Sequence, residues 1–265
     1  MLLVIANKLY SSWSLRPWLL MRALGIAFDE EVIAMRKPDT KARMLARGPA
    51  GKCPVLIDGD VTVWESLAIV EYLAEKFPQK GVWPADPKAR AHARAASNEM
   101  HAGFQPLRAA CPMNLSKRFA ARDFGPDVAG SVARIEELWR EARDRFGAVG
   151  AARSGASPDA LAARSGASPD ASAQAPFLYG SFTAADAMFA PVVTRLDTYQ
   201  IPVAADTRSY MDAVLAHPAF LEWKQAALSE PCDWDIPEYE EGHVAVEIFQ
   251  RRSDLGAQDI ATPSR

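Results

Sequence analysis

Over the first eighty residues the apolar pattern switches between strand and helix period several times, and that alternation restricts the segment to a small layered α/β arrangement. Residues 1–6 are a branched apolar run of strand length, followed by a turn-like stretch, residues 7–14, that carries three serines. Leu15, Trp18, Leu19, Arg22, Ala23 and Leu24 then recur at helical spacing, and Gly25 supplies the residue that most easily turns left-handed at a helix end. Residues 28–35 read as a second strand and 40–46 as a short helix. Residues 54–57 and 61–64 read as a hairpin across Asp58-Gly59-Asp60. Residues 66–77 close the unit as a helix, with Leu67, Val70, Leu73 and Ala74 on one face and Pro78 ending it. The expected sheet is mixed and four-stranded.

Past a Pro- and Gly-containing linker at 79–87 the strand period disappears. Residues 89–107, 128–146, 183–199, 207–216 and 219–228 all read as helices. A chain of 265 residues exceeds a typical domain of ~150, so the division expected is an α/β domain at 1–78, the linker, an all-helical domain at 88–230 and an extension at 231–265. Within the helical part, Ala-Ala-Arg-Ser-Gly-Ala-Ser-Pro-Asp-Ala stands at 151–160 and again at 162–171. Two copies are too few for a solenoid, and their small polar residues bury no apolar face, so residues 151–172 are expected to form a flexible surface loop. The extension mixes Trp234, Tyr239 and Phe249 with acidic residues, and packing or fraying both remain open.

Charge excludes some partners. Thirty Lys and Arg against 33 Asp and Glu give −3, too near neutral for the electrostatic footprint that nucleic acid or anionic lipid requires. The longest stretch free of Asp, Glu, Lys and Arg, 171–185, contains Pro, Gly, Ser, Thr and Gln, which argues against a membrane-spanning helix. The opening apolar run is too short for the core of a signal peptide and has no basic residues before it, so a cytoplasmic location is expected. Cys53, Cys111 and Cys232 are odd in number and widely separated, and only four histidines accompany them. Reduced thiols and no metal are expected.

Three places carry candidate chemistry. Ser11, Ser12 and Ser14 precede the first helix, where serine is an ordinary N-cap and Pro17 is tolerated in a first turn. The same helix N-terminus also concentrates free N–H groups, so hydroxyls held there can donate to a bound anion such as a thiolate. Lys52-Cys53-Pro54-Val55 precedes a strand; a cis Cys53–Pro54 bond would present the Cys53 backbone to an extended ligand. Glu65-Ser66 opens the third helix, as cap or as an acid and hydroxyl for a ligand. Thr183-Ala-Ala-Asp186 has capping-box spacing and reads as structural. The cysteines default to small hydrophobes and His101 to packing.

Together, Tyr-Ser-Ser-Trp-Ser-Leu-Arg-Pro-Trp, Gly-Lys-Cys-Pro-Val-Leu, Glu-Ser-Leu-Ala-Ile-Val-Glu-Tyr-Leu and Phe-Thr-Ala-Ala-Asp resemble the cytosolic glutathione S-transferases over about residues 1–228, in particular the bacterial and serine-type zeta members, which include maleylacetoacetate isomerases. The resemblance implies a thioredoxin-like N-terminal domain, a helical C-terminal domain and a homodimer. It implies Ser11 as the catalytic serine with Ser12 beside it, Cys53 and Pro54 against the cysteinyl part of glutathione, Glu65 and Ser66 at its γ-glutamyl end, and Lys52 as a further contact. Trp13 stands where the zeta pattern has cysteine, a departure that bears on isomerase activity. It is expected to wall a pocket for an apolar co-substrate, alongside Phe104 or His101. The expected function is activation of the glutathione thiolate for attack on a small electrophile. A glutathione-dependent cis-trans isomerase and a non-catalytic binding module are the alternatives.

Overall fold

The computed structural model describes residues 1–147 and 175–251; the expected loop at 151–172 and residues 252–265 lie outside the described residues. Strand β1 (Leu2–Ala6) sits inside a four-stranded sheet of order β2-β1-β3-β4. It runs parallel to β2 (Asp29–Ile33) and antiparallel to β3 (Val55–Asp58), which pairs antiparallel with β4 (Val61–Trp64). Every residue of β1 is apolar because both faces are covered. Leu3 and Ile5 enter the main core, while Val4 and Ala6 pack with Ile33, Met44 and Val55 on the other face. Gly59, at φ +62°, makes the β3–β4 turn.

Helix α1 (Ser12–Ala23) ends as its sequence requires: Gly25 takes φ +60°, its N–H donates to the Arg22 carbonyl, and the Ile26 N–H donates to Met21. Its start differs from expectation. The helix begins at Ser12, so Pro17 is an interior residue that cannot donate to the Trp13 carbonyl, instead of lying in the first turn. Helices α2 (Thr40–Leu45) and α3 (Ser66–Lys76) complete this layer.

The remainder is mostly helical, with α4 (Pro87–Ala102), α5 (Gln105–Ala110), α6 (Pro126–Ala142), α7 (Ala184–Thr198), α8 (Ala205–Leu215) and α9 (Pro218–Ala227). Two details correct the sequence reading. The helix expected over 89–107 breaks at Gly103, where a Cβ would stand 2.7 Å from the Glu99 carbonyl oxygen, and Phe104 turns left-handed at φ +59°. The part expected to be all-helical contributes one short strand, β5 (Lys117–Phe119), which pairs antiparallel with β6 (Ala245–Ile248) of the extension. Strands of three and four residues are too short to show a period.

One core joins the two parts. Helix α1 packs against α3 on one side and against α7 and α9 on the other, and Trp18 meets Trp223 edge-on at 5.1 Å. Helix α7 is buried along almost its whole length. Its N-terminus carries the expected capping box: the Thr183 N–H donates to Asp186 Oδ2 at 2.8 Å, and the Leu178 N–H to Oδ1 at 3.0 Å.

Candidate functional site

The loop between β1 and α1 places the serines. Ser11 is the N-cap of α1, its Oγ accepting from the Ser14 N–H at 3.3 Å. Ser14 is fully buried, and its Oγ accepts the Ala6 N–H at 3.0 Å. The two hydroxyls are 2.8 Å apart. Ser11 and Ser12 line a cavity of about 560 Å³, whereas Ser14 stands behind them. Ser11 thus caps α1 and also lines the cavity.

The Cys53–Pro54 peptide is cis. Cys53, Lys52 and Trp13 line the large cavity and also a smaller one of about 140 Å³ that continues to Pro54, Trp64 and Glu65. Burial first, and then the Glu31 carboxylate, push the Cys53 thiol up to about 12, so it stays protonated and unreactive at neutral pH. Glu65 precedes α3 at φ +70°, a conformation costing a non-glycine residue about 1 kcal/mol. Its side chain makes no capping bond to the helix. Ser66 is fully buried, and its Oγ has no hydrogen-bond partner among the described residues. Neither residue serves the cap for which its position suited it.

Trp13 lines both cavities. His101 and Phe104 do not line them: His101 packs edge-on against Trp13 at 5.1 Å, and Phe104 joins the core. Burial, followed by the positive charge of Arg16, lowers the His101 pKa, which keeps the imidazole neutral at pH 7.

Residues outside the sequence prediction complete the large cavity. Tyr10 comes from the serine loop, Gln105 and Arg108 from α5, Arg195 from α7 and Tyr239 from the C-terminal segment. An arginine inside the apolar stretch of α7 was a readable signal, since a buried cation on a helix face needs a reason. Tyr239 carried no such signal. It reaches the site because residues 231–251 pack across both parts of the molecule. Glu230 accepts from the Lys8 and Leu9 N–H groups, Lys37 and Arg36 pair with Asp233 and Glu238, and Tyr239 meets Tyr10 edge-on at 5.7 Å. Among the described residues no group of three His, Cys, Asp or Glu is placed to hold a metal, and no helix is long and apolar enough to cross a membrane.

Residues 10–76 match the family model of the glutathione S-transferase N-terminal domain. The chain is 38% identical over 104 residues to a probable maleylacetoacetate isomerase of Caenorhabditis elegans, covering 37% of this chain and 48% of that one. It is 30% identical over 153 residues to a zeta-class glutathione S-transferase of Euphorbia esula, covering 52% and 66%. The matches thus span about half to two thirds of these relatives. Among solved structures, a glutathione transferase homolog from Burkholderia with bound glutathione has a TM-score of 0.58 at 17% identity, covering 85% of this chain and 97% of the other. An unclassified glutathione S-transferase from Bombyx mori has a TM-score of 0.58 at 18% identity, covering 85% and 93%. Residues 10–76 thus match the glutathione S-transferase N-terminal domain family, and the chain has the fold of the solved glutathione transferases.

Proposed function

We propose that the protein is a glutathione transferase that lowers the thiol pKa of bound glutathione and directs the thiolate at a small electrophile. One observation carries this reading: Ser11 lines the larger cavity, Pro54 and Glu65 line the smaller, and Lys52, Cys53 and Trp13 line both, beside a cis Cys53–Pro54 peptide. In this reading the γ-glutamyl end meets Glu65 and Ser66, the cysteinyl part meets the backbone at Cys53 and Pro54, and Ser12 and Lys52 flank the peptide. Residues 1–78 hold glutathione, the described residues of 88–230 shape the second pocket, and Tyr239 from the extension adds to it. A homodimer and a cytoplasmic location fit the same reading.

The activating chemistry follows from the serine pair. Hydroxyl protons this close can reverse direction. With Ser14 donating to Ser11 Oγ, the Ser11 proton is released toward the cavity. The Ala6 N–H, the Ser14 hydroxyl and the Ser11 hydroxyl then form a chain ending on the thiolate sulfur. Each unit by which the thiol pKa falls corresponds to about 1.4 kcal/mol of preference for the anion. The product step is nucleophilic addition or substitution at the electrophile.

A glutathione-dependent cis-trans isomerase remains the second reading, favoured by the similarity to the probable maleylacetoacetate isomerase. Trp13, in place of the small zeta-class cysteine, weighs against it. The deciding experiment is a pH titration of the thiolate absorbance of bound glutathione in the unmodified protein and in Ser11→Ala. A thiol pKa well below that of free glutathione, returning toward it in the variant, supports an activating site. Binding with an unshifted pKa makes the protein a non-catalytic module, and no binding removes the reading.

A further inference from the structure

The loop that presents Ser11 is held from far along the chain. Asn7, Lys8, Leu9, Tyr10 and Ser11 are each at most 7% exposed, so the polar groups of their backbone need partners within the protein. Some are found locally: the Tyr10 and Ser11 N–H groups donate to the Asn7 carbonyl at 3.2 and 2.8 Å. The Lys8 and Leu9 N–H groups donate instead to the two carboxylate oxygens of Glu230, at 2.5 and 3.2 Å, across sequence separations of 222 and 221 residues. The Lys8 carbonyl accepts Trp223 Nε1 at 3.0 Å.

Two peptide planes carry these contacts. The Asn7–Lys8 peptide is trans, which places its carbonyl and its N–H on opposite edges of one rigid plane. Glu230 grips the N–H edge, and the Ser11 N–H is bonded to the carbonyl edge. The carboxylate therefore sets the direction in which the Ser11 backbone is held. Bonds to a carboxylate are also stronger than neutral ones, and they polarise the peptide so that its carbonyl becomes a better acceptor. The next plane, Lys8–Leu9, is gripped at both edges, by Trp223 and by Glu230. The Asn7 side chain fixes the other flank, Nδ2 donating to the Trp234 carbonyl at 3.2 Å and Oδ1 accepting the Met35 N–H at 2.6 Å. Glu230 is itself buried, and its carbonyl accepts from Arg251 Nη2.

We infer that Glu230 is a positioning residue for Ser11: its carboxylate fixes the Asn7–Lys8 peptide, and through that plane the backbone from which the Ser11 hydroxyl faces the large cavity. Glu230 lines neither cavity. The turn that follows α9 thus helps to aim a hydroxyl carried by the α/β part of the molecule. A small error in that aim weakens a hydrogen bond to a thiolate, because such bonds fall off steeply with angle and distance. The inference rests on the proposed role of Ser11 in lowering the thiol pKa of glutathione.

Glu230→Gln tests it, since glutamine keeps the shape but sets an NH2 group against one of the two N–H donors. Amide hydrogen exchange at Ser11 is read first, without ligand, at pH 8, where Glu230, raised by burial to about 7, is ionised. The Ser11 N–H is expected to exchange about tenfold faster in the variant, with the amides of α6 unchanged as the reference for global opening. In the glutathione-loaded variant the thiol pKa should rise partway toward its value in Ser11→Ala, while glutathione affinity stays within about twofold. Adding Glu230→Gln to Ser11→Ala should raise it no further, a non-additivity that general loosening of the site does not reproduce. Unchanged exchange at Ser11 overturns the inference whether or not glutathione binds. A further rise in the double variant overturns it as well, and so does a thiol pKa that Glu230→Gln leaves unmoved in a protein that lowers it. Faster exchange at Ser11, in a protein whose unmodified form leaves the thiol pKa unshifted, keeps Glu230 as the support of Ser11 and removes the transferase reading. Should Glu230→Gln not fold, Glu230→Asp, which keeps the charge but is one methylene too short to hold both donors, is judged by the same outcomes.

Discussion

Ser11 Oγ lies 2.8 Å from Ser14 Oγ, and the Ser14 oxygen in turn accepts the N–H of Ala6, the last residue of β1. The cavity-facing hydroxyl is therefore backed by a buried one that is fixed to the sheet. Ser14→Ala removes the hydroxyl to which Ser11 is hydrogen-bonded while leaving Ser11 in place. It is expected to raise the thiol pKa of bound glutathione partway toward that of Ser11→Ala, and to lower kcat by about fivefold, the worth of roughly one hydrogen bond. Thiolate absorbance against pH, measured on both variants, separates the two serines; an unchanged pKa in Ser14→Ala would show that the pair does not act as a chain.

Trp13 walls both cavities and stacks under two guanidiniums. Each such contact contributes about 1 kcal/mol where water is excluded. Trp13→Ala should therefore raise KM for the electrophile several-fold and lower the urea midpoint. Steady-state kinetics with the electrophile varied at saturating glutathione check the first effect, and unaltered co-substrate kinetics would count against Trp13 as a wall.

Two buried carboxyls set a pH dependence of known sign. Burial raises Asp186 to about 6 and Glu230 to about 7, in each case against hydrogen bonds that favour the anion. Both folded-state values lie above those of the unfolded chain, near 4. The folded protein thus binds the extra protons, and the stabilisation, complete below pH ~4, is lost as pH rises through 6 and 7. Urea midpoints should fall from pH 5 to pH 7.5, and Glu230→Gln should flatten the upper part of that slope. A midpoint that rises over this range would contradict the assignment.

Asp186 accepts the N–H groups of both Leu178 and Thr183 at the buried start of α7. Thr183→Ala is expected to cost about 1 kcal/mol through loss of the capping box. Asp186→Ala, which strands two buried donors, is expected to cost about 3 kcal/mol or more. Equilibrium urea unfolding of the two variants gives the order directly.

Tyr239 enters the large cavity from a segment fastened at both ends: Glu230 to the Lys8 and Leu9 N–H groups, and Glu240 to Lys117 and Asn114. Tyr239→Ala should raise KM for the electrophile by several-fold and leave the glutathione KM within about twofold, because ring area is lost on one side of the site only. Parallel measurement of the two KM values distinguishes this from a general loosening, which would move both.

Much of the fold was legible in residues because its signals are local. The periods of residues 1–6 and 66–77, the Gly25 helix stop, the Asp58-Gly59-Asp60 turn and the Thr183–Asp186 box all state a backbone conformation within a few neighbours. The residues proposed to face glutathione were legible through motif resemblance, since Ser11, Cys53-Pro54 and Glu65-Ser66 lie in short runs of one domain. The second pocket was not. Helical spacing brought His101 and Phe104 forward, but the break at Gly103 turns the chain so that Arg108 faces the cavity. Arg195 and Tyr239 arrive from elements far along the chain, and the β5–β6 ribbon pairs segments too short to announce themselves. Sequence alone determined the conformation of single elements and the chemistry of the serine turn, because both are written in neighbouring residues. Only the tertiary structure decided that Arg108, Arg195 and Tyr239 share one cavity with Ser11 and Trp13, because that depends on packing between elements that no local pattern encodes.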